Sequence, residues 1–193
     1  MKQIYFVVES KHDRNVYVSL GQHIVRALNL QDQICFATAD ECFIVKSGHF
    51  LKYDMIKVIL RILERKISAK IGRSGEYFDG WNFKIIFIRD ADDECPKDYN
   101  QQMTALLNNV GGRYPTTFVM PKSELETWFL ANTREYSQYA TIEDIRGTKE
   151  KYRDITAERL EFFTLPQQIE CLNISHTESS CRSFRKFVKE ITS

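Results

Sequence analysis

The sequence has no C-x-x-C pair, no G-x-x-x-x-G-K-[ST] loop and no G-x-S-x-G turn. Its five cysteines, Cys35, Cys42, Cys95, Cys171 and Cys181, are odd in number and scattered. They read as reduced, mostly buried thiols rather than a disulfide framework, which points to a cytosolic protein. Without the phosphate-cradling loop the chain is not itself a P-loop ATPase. Gly72-Arg-Ser-Gly75 is no substitute, because no strand precedes it. The missing serine turn speaks against an α/β-hydrolase nucleophile. No apolar run approaches the roughly 18 residues that span a bilayer, and no signal peptide is recognisable, so no membrane partner is expected. Charge of one sign is also lacking. Twenty-seven Lys and Arg against 26 Asp and Glu leave a formal net charge of +1. Any attraction for nucleic acid must then come from local basic surface. Neither internal repeats nor low-complexity tracts occur.

What is present is an ordinary globular composition, 43% hydrophobic over 193 residues. That length suits one large domain, or a domain of residues 1–132 with a helical extension over 133–193 packed on it. Apolar runs at Ile4–Val8, Gln33–Ala37, Phe83–Arg89 and Thr116–Met120 read as strands. Cys42–Val45 reads as a further short strand or an extended approach to a turn. Between them, Val16, Tyr17, Leu20, Ile24, Val25 and Leu28 recur at helical spacing, with Asp13 as N-cap and Asn29 at the end. Ile56, Ile59, Leu60, Leu63 and Ile67 mark a second helix starting from Phe50. Residues 68–80 read as a glycine-containing loop, 98–109 as a helix, and Ser123 caps another helix through Ala131. Helices near 141–154, 166–173 and 180–191 close the chain. Alternating strands and helices indicate an α/β fold, a Rossmann-like, mainly parallel sheet flanked by helices.

Acids stand where these strands stop. Glu9 follows the first, and Asp90-Ala91-Asp92-Asp93-Glu94 follows Phe83–Arg89. The carboxyl ends of parallel strands are where such folds bind ligands. Carboxylates gathered there repel, by about 4 kcal/mol per pair at about 4 Å and an effective dielectric near 20. A divalent cation relieves that repulsion. Asp90 and Asp92, two apart, project to one side if the strand continues. Asp13 lies one helical turn beyond Glu9. After Thr116–Met120 comes Pro121-Lys122-Ser123-Glu124-Leu125-Glu126, opening a helix whose apolar side is Leu125, Trp128 and Phe129. Taken singly, a Glu after a strand is ordinarily solvated and Ser123 an ordinary cap; together the three elements converge on one sheet edge. Their hard oxygen donors favour Mg²⁺ or Mn²⁺ over Zn²⁺. His12 beside them reads as a surface residue.

The order of these acids resembles the TOPRIM fold, shared by topoisomerases, DnaG-type primases and OLD-type nucleases. Glu9 matches its first Glu, and Asp90 and Asp92 its Asp-x-Asp. The nearer likeness is to small bacterial TOPRIM-like proteins of defence islands. It rests on Glu9 with Asp13, Asp90–Asp93, the Glu124–Ala131 helix and Ser183–Phe187. Ser123 and Glu126 match the Ser-x-x-Glu that OLD-type nucleases add. Ser10 departs from the family, which often has Gly there. The resemblance implies a phosphodiester hydrolase with two Mg²⁺ or Mn²⁺ ions, acting in antiviral defence beside a separate ATPase. Glu9, Asp90 and Asp92 would be the main ligands and Asp13 and Glu126 second-metal ligands. Lys122 would stabilise the transition state. Lys11 and Arg14, Lys70 and Arg73 (after Arg65 and Lys66), and Arg182 and Arg185 (with Lys186 and Lys189) are the candidate nucleic-acid contacts, with Lys70 and Arg73 on a loop able to close over a backbone. Self-association is left open. Two other classes remain: a non-catalytic regulatory subunit, and an Asp-x-Asp glycosyltransferase, which leaves Glu9, Glu124 and Glu126 unexplained.

Overall fold

The computed structural model describes residues 1–46, 49–74, 80–90, 96–121, 125–133, 136, 147, 150–152, 154 and 165–193. Among the described residues five strands form one sheet: β1 (Lys2–Val8), β2 (Ile34–Phe36), β3 (Phe43–Ile44), β4 (Asn82–Ile88) and β5 (Thr116–Val119). All pairings are parallel, in the order β2-β1-β4-β5, with β3 continuing β2's edge of β1. The helices are α1 (Lys11–Ala27), α2 (Tyr53–Ser74), α3 (Pro96–Val110), α4 (Glu126–Leu130), α5 (Leu165–Glu170), α6 (Ile174–Ser180) and α7 (Arg182–Thr192).

Parallel strands demand cover on both faces, which explains why Ile4 to Val8 are buried without alternation. One face carries α1, α4 and α7. There Phe6 stacks on Phe36 at 5.6 Å and Trp128 on Phe187 at 5.3 Å, while Tyr17 meets Phe187 edge-on at 5.8 Å. The other face carries α2 and α3, where Phe50 packs on Phe87 and Tyr99 on Phe118. Each fully buried ring of this kind contributes about 1.5–3 kcal/mol. The chain's last helix is part of this core: Phe184, Phe187 and Ile191 are fully buried, and Lys84 holds Glu190 at 2.9 Å.

The strand order creates a switch point. From β1 the chain winds outward through α1 to β2 on one face. From β4 it winds the opposite way through α3 to β5 on the other. Between β1 and β4 the direction reverses, and open sheets of this kind form their ligand crevice outside the carboxyl ends of such a strand pair.

Several sequence expectations shift. Ser10, not Asp13, caps α1: its backbone is extended, and its Oγ accepts from the Asp13 N–H at 3.1 Å. Asn29 ends that helix region in the left-handed conformation, at φ 55°. The second helix starts at Tyr53 rather than Phe50 and runs on to Ser74, so Lys70 and Arg73 are helical and not on a loop. Ile71 continues the Ile67 stripe against the core, and Gly72, fully tolerated in a helix at modest cost, is not enough to stop it. Near the C-terminus, a separate helix, α6, precedes α7. Most of the expected 141–154 helix lies outside the described residues.

Candidate functional site

Glu9 and Asp90 stand at the crevice. The β1–β4 register ends at Val7 opposite Phe87, so two residues on, Glu9 comes opposite Arg89, and Asp90 follows it. The two carboxylates take different partners. Arg89 is buried, and its Nε lies 3.2 Å from Glu9 Oε1, with the two side chains 8% and 20% exposed. The same guanidinium lies 4.5 Å from the centroid of the Tyr99 ring on α3. Asp90 instead turns towards α1, where its Oδ1 accepts from the Tyr17 hydroxyl at 3.4 Å. This division follows the pleat, because successive residues face opposite sides of a sheet.

Two more acids act on Tyr17 through their charge. Burial, followed by the negative charges of Asp90 and Asp13, the Asp90 hydrogen bond and the charge of Glu126, pushes its phenol well above the ordinary range. The phenol therefore feels acids from the end of β4, the first turn of α1 and the start of α4. Glu126 also acts on Tyr152, whose phenol is raised by burial first and Glu126 second. Glu126 is half-buried beside the fully buried Trp128, whose indole N–H donates to Ser183 Oγ at 2.9 Å. The Trp128 ring lies edge-on to Tyr17 at 6.2 Å, which ties α4 to α1. Asp92 and Lys122 lie outside the described residues, as do Ser123 and Glu124. Among the described residues, no three of His, Cys, Asp and Glu form a group that could hold one metal ion.

The expected basic contacts do not form one surface. Lys11 is exposed at the start of α1. Arg14 pairs with Asp40 at 2.8 Å. Lys70 pairs with Glu41 at 2.8 Å, beside the β2–β3 turn. Burial works against the Glu41 carboxylate, but the bonds from Lys70 and Thr38 outweigh it and hold Glu41 below its usual range. Arg73 is exposed near the end of α2, and with Tyr5, Lys66 and Lys70 it lines a cleft of about 360 Å³. Arg182 is exposed at the start of α7. Arg185 donates to the carbonyls of Glu178 and Ser179, at 3.0 and 3.3 Å, and so closes the end of α6.

Sequence reasoning did not single out Arg89 or Tyr17. Arg89 read as the last residue of a strand and Tyr17 as part of an apolar stripe. The available signal was an arginine ending an otherwise apolar buried run, next to acids. Comparison with family models, with curated proteins and with solved structures finds no match for this chain.

Proposed function

We propose that this chain is a divalent-metal-dependent nuclease of TOPRIM type, hydrolysing nucleic-acid phosphodiesters, and that it acts in antiviral defence with an ATPase partner. The observation that supports it is positional: β1 and β4, the strands that flank the switch point, run out into Glu9 and into Arg89 and Asp90, and the charges of Asp13 and Glu126 act on the same Tyr17 phenol that bonds Asp90. The donors are carboxylate oxygens, the chemistry Mg²⁺ and Mn²⁺ prefer. Asp90, with Asp13, Glu126 and Asp92, would hold the ions, and Glu9 would join them. Bound there, the metal supplies a Lewis acid for the phosphoryl oxygen and a more acidic water. Tyr17 fixes the orientation of Asp90 from below, and Arg89 anchors Glu9 against the floor of the crevice.

A second reading has its own observation. Arg89 already gives Glu9 a positive partner, as in a regulatory subunit whose crevice is neutralised from within. Cleavage assays on plasmid, single-stranded DNA and tRNA, with Mg²⁺ or Mn²⁺ and with or without a candidate ATPase, separate the two. The nuclease reading expects cleavage that Asp90→Asn and Glu9→Gln reduce to background while circular dichroism is unchanged. Undiminished cleavage by Asp90→Asn overturns the assigned centre, and no cleavage under any of these conditions favours the regulatory subunit.

A further inference from the structure

Positive charge is concentrated on one element. Between Lys57 and Arg73, α2 carries Lys57, Arg61, Arg65, Lys66, Lys70 and Arg73 against Glu64 alone. With a formal net charge of +1 for the whole chain, everything outside this segment is net acidic. At about 100° per residue Arg61 and Arg65 fall on the side opposite the buried stripe of Ile56, Ile59, Leu60, Leu63 and Ile67, Lys57, Lys66 and Arg73 flank them, and Lys70 sits at the edge of the stripe, paired with Glu41. Arg61, Arg65, Lys66 and Arg73 are exposed. Among the described residues Arg61, Arg65 and Arg73 form no ion pair.

A second element adds to the ridge. Arg113, in the turn before β5, donates its backbone N–H to Glu64 Oε1 at 2.5 Å and its Nη1–H to Ser68 Oγ at 3.3 Å. These bonds hold its guanidinium against α2 and occupy an oxygen of the segment's only acid. Arg61, Glu64, Arg65, Ser68 and Arg113 line an open groove of about 430 Å³. Between Lys57 and Arg73 no aromatic residue interleaves with the cations, which suits backbone contact more than base stacking. Its exposed apolar content is slight, Val58 being the one large apolar side chain there, which does not suit insertion into a lipid surface.

We propose that the exposed face of α2, extended by Arg113, is a docking ridge for the phosphate backbone of duplex nucleic acid, without sequence preference. The assignment deepens the proposed nuclease reading and rests on it for the kind of polyanion. From Lys57 to Arg73 the ridge spans about 24 Å at 1.5 Å per residue, the axial length of about seven base pairs at 3.4 Å each. Because α2 leads from β3 back to β4, it runs against the strands, and its first turn lies at the carboxyl edge that carries Glu9 and Asp90. A duplex on the ridge thus approaches the crevice end-on.

Fluorescence anisotropy of the full chain with labelled 20-base-pair DNA and RNA duplexes, in EDTA and over a range of salt, tests this. The wild type binds with a steep salt dependence. The triple variant Arg61→Ala/Arg65→Ala/Arg73→Ala should bind at least 10-fold more weakly at low salt, with a salt slope shallower by about 2.7, about 0.9 per lost phosphate contact. Arg26→Ala, exposed on α1 across the sheet, should bind as the wild type does. Unchanged binding by the triple variant, no duplex binding by the wild type, or binding to anionic vesicles in place of duplex each overturns the ridge. EDTA removes cleavage from the readout. Ridge-dependent binding without any cleavage sinks the nuclease reading alone, while Asp90-dependent cleavage by a triple variant that binds normally sinks the ridge alone.

Discussion

Arg89 and Glu9 meet at the carboxyl ends of two neighbouring strands, Nε 3.2 Å from Oε1, with Asp90 next along the chain. The pair fixes the first acid of the candidate centre to the sheet. It also sets a cost on any change there, since removing one partner takes from the other a close opposite charge in a poorly solvated place.

Arg89→Met keeps an apolar side chain of similar length but removes the guanidinium, and with it the contact over the Tyr99 ring. Breaking a fully buried pair costs roughly 3–5 kcal/mol; with Glu9 partly exposed, about 2–3 kcal/mol is expected here. Urea unfolding measures it. The Glu9→Gln/Arg89→Met double variant should recover part of the loss. On the nuclease reading, Mn²⁺ should raise the thermal midpoint of Arg89→Met by more than that of the wild type, because the vacated positive charge is replaced. An equal or absent shift in both proteins argues for the regulatory subunit.

Tyr17→Phe removes the hydroxyl that reaches Asp90 at 3.4 Å. The ring's contacts with Trp128 and Phe187 persist, and the lost hydrogen bond is long, so the stability cost should be no more than about 1 kcal/mol. The effect on metal affinity should be larger in proportion, because Asp90 loses a hydrogen bond that orients it. Isothermal titration with Mn²⁺ should show weaker binding by Tyr17→Phe than by the wild type, with the fold intact by circular dichroism. Equal affinity would mean that Tyr17 is only a core residue.

How far the sequence revealed this arrangement depended on the range of the interaction. The strands of residues 4–8, 83–89 and 116–120 were legible because buried parallel strands are continuously apolar, and the structure places them within a residue or two of those limits. The acids at their ends were legible for the same reason. Strand order was not, since it is set by which faces the crossover helices cover, and so the crevice between β1 and β4 could not be located. Arg89 and Tyr17 were missed because their roles depend on partners 80 and 73 residues away. The end of α2 was misjudged because glycines near Lys70 suggested a loop, whereas Ile71 still had core to pack against. The separate helix α6 shows no apolar period; it starts on Asn173, whose side chain accepts from the His176 N–H.

Gly21 sits in the middle of α1, where alanine would ordinarily favour the helix by about 1 kcal/mol. A Cβ there would come within 2.6 Å of Cε1 and Cζ of the Phe36 ring. That ring is stacked on Phe6, which is fully buried, so it cannot retreat in that direction. Gly21→Ala should therefore destabilise the fold by about 1–2 kcal/mol net, the overpacking outweighing the propensity gain. The urea midpoint measures the balance. A stabilised variant would show that β2 can move away from α1 at low cost.

Alkaline conditions should weaken the fold through Cys42. Burial pushes its thiol from the ordinary 9.0 up to about 11, and burial also raises the phenols of Tyr5 and Tyr17. A group whose pKa is higher in the folded state stabilises fully below the unfolded value and loses that contribution as pH climbs to the folded one. For Cys42 the loss begins near pH 9 and is complete near 11, at up to about 1.4 kcal/mol per pH unit. Urea unfolding at pH 8, 10 and 11 should show stability falling across that window in the wild type and falling less steeply in Cys42→Ala. Iodoacetamide at pH 8 should meanwhile label exposed Cys171 well before Cys42, as read by peptide mass mapping. Rapid labelling of Cys42, or an identical alkaline slope in Cys42→Ala, would show that the thiol is open to water and that its ionisation does not oppose folding.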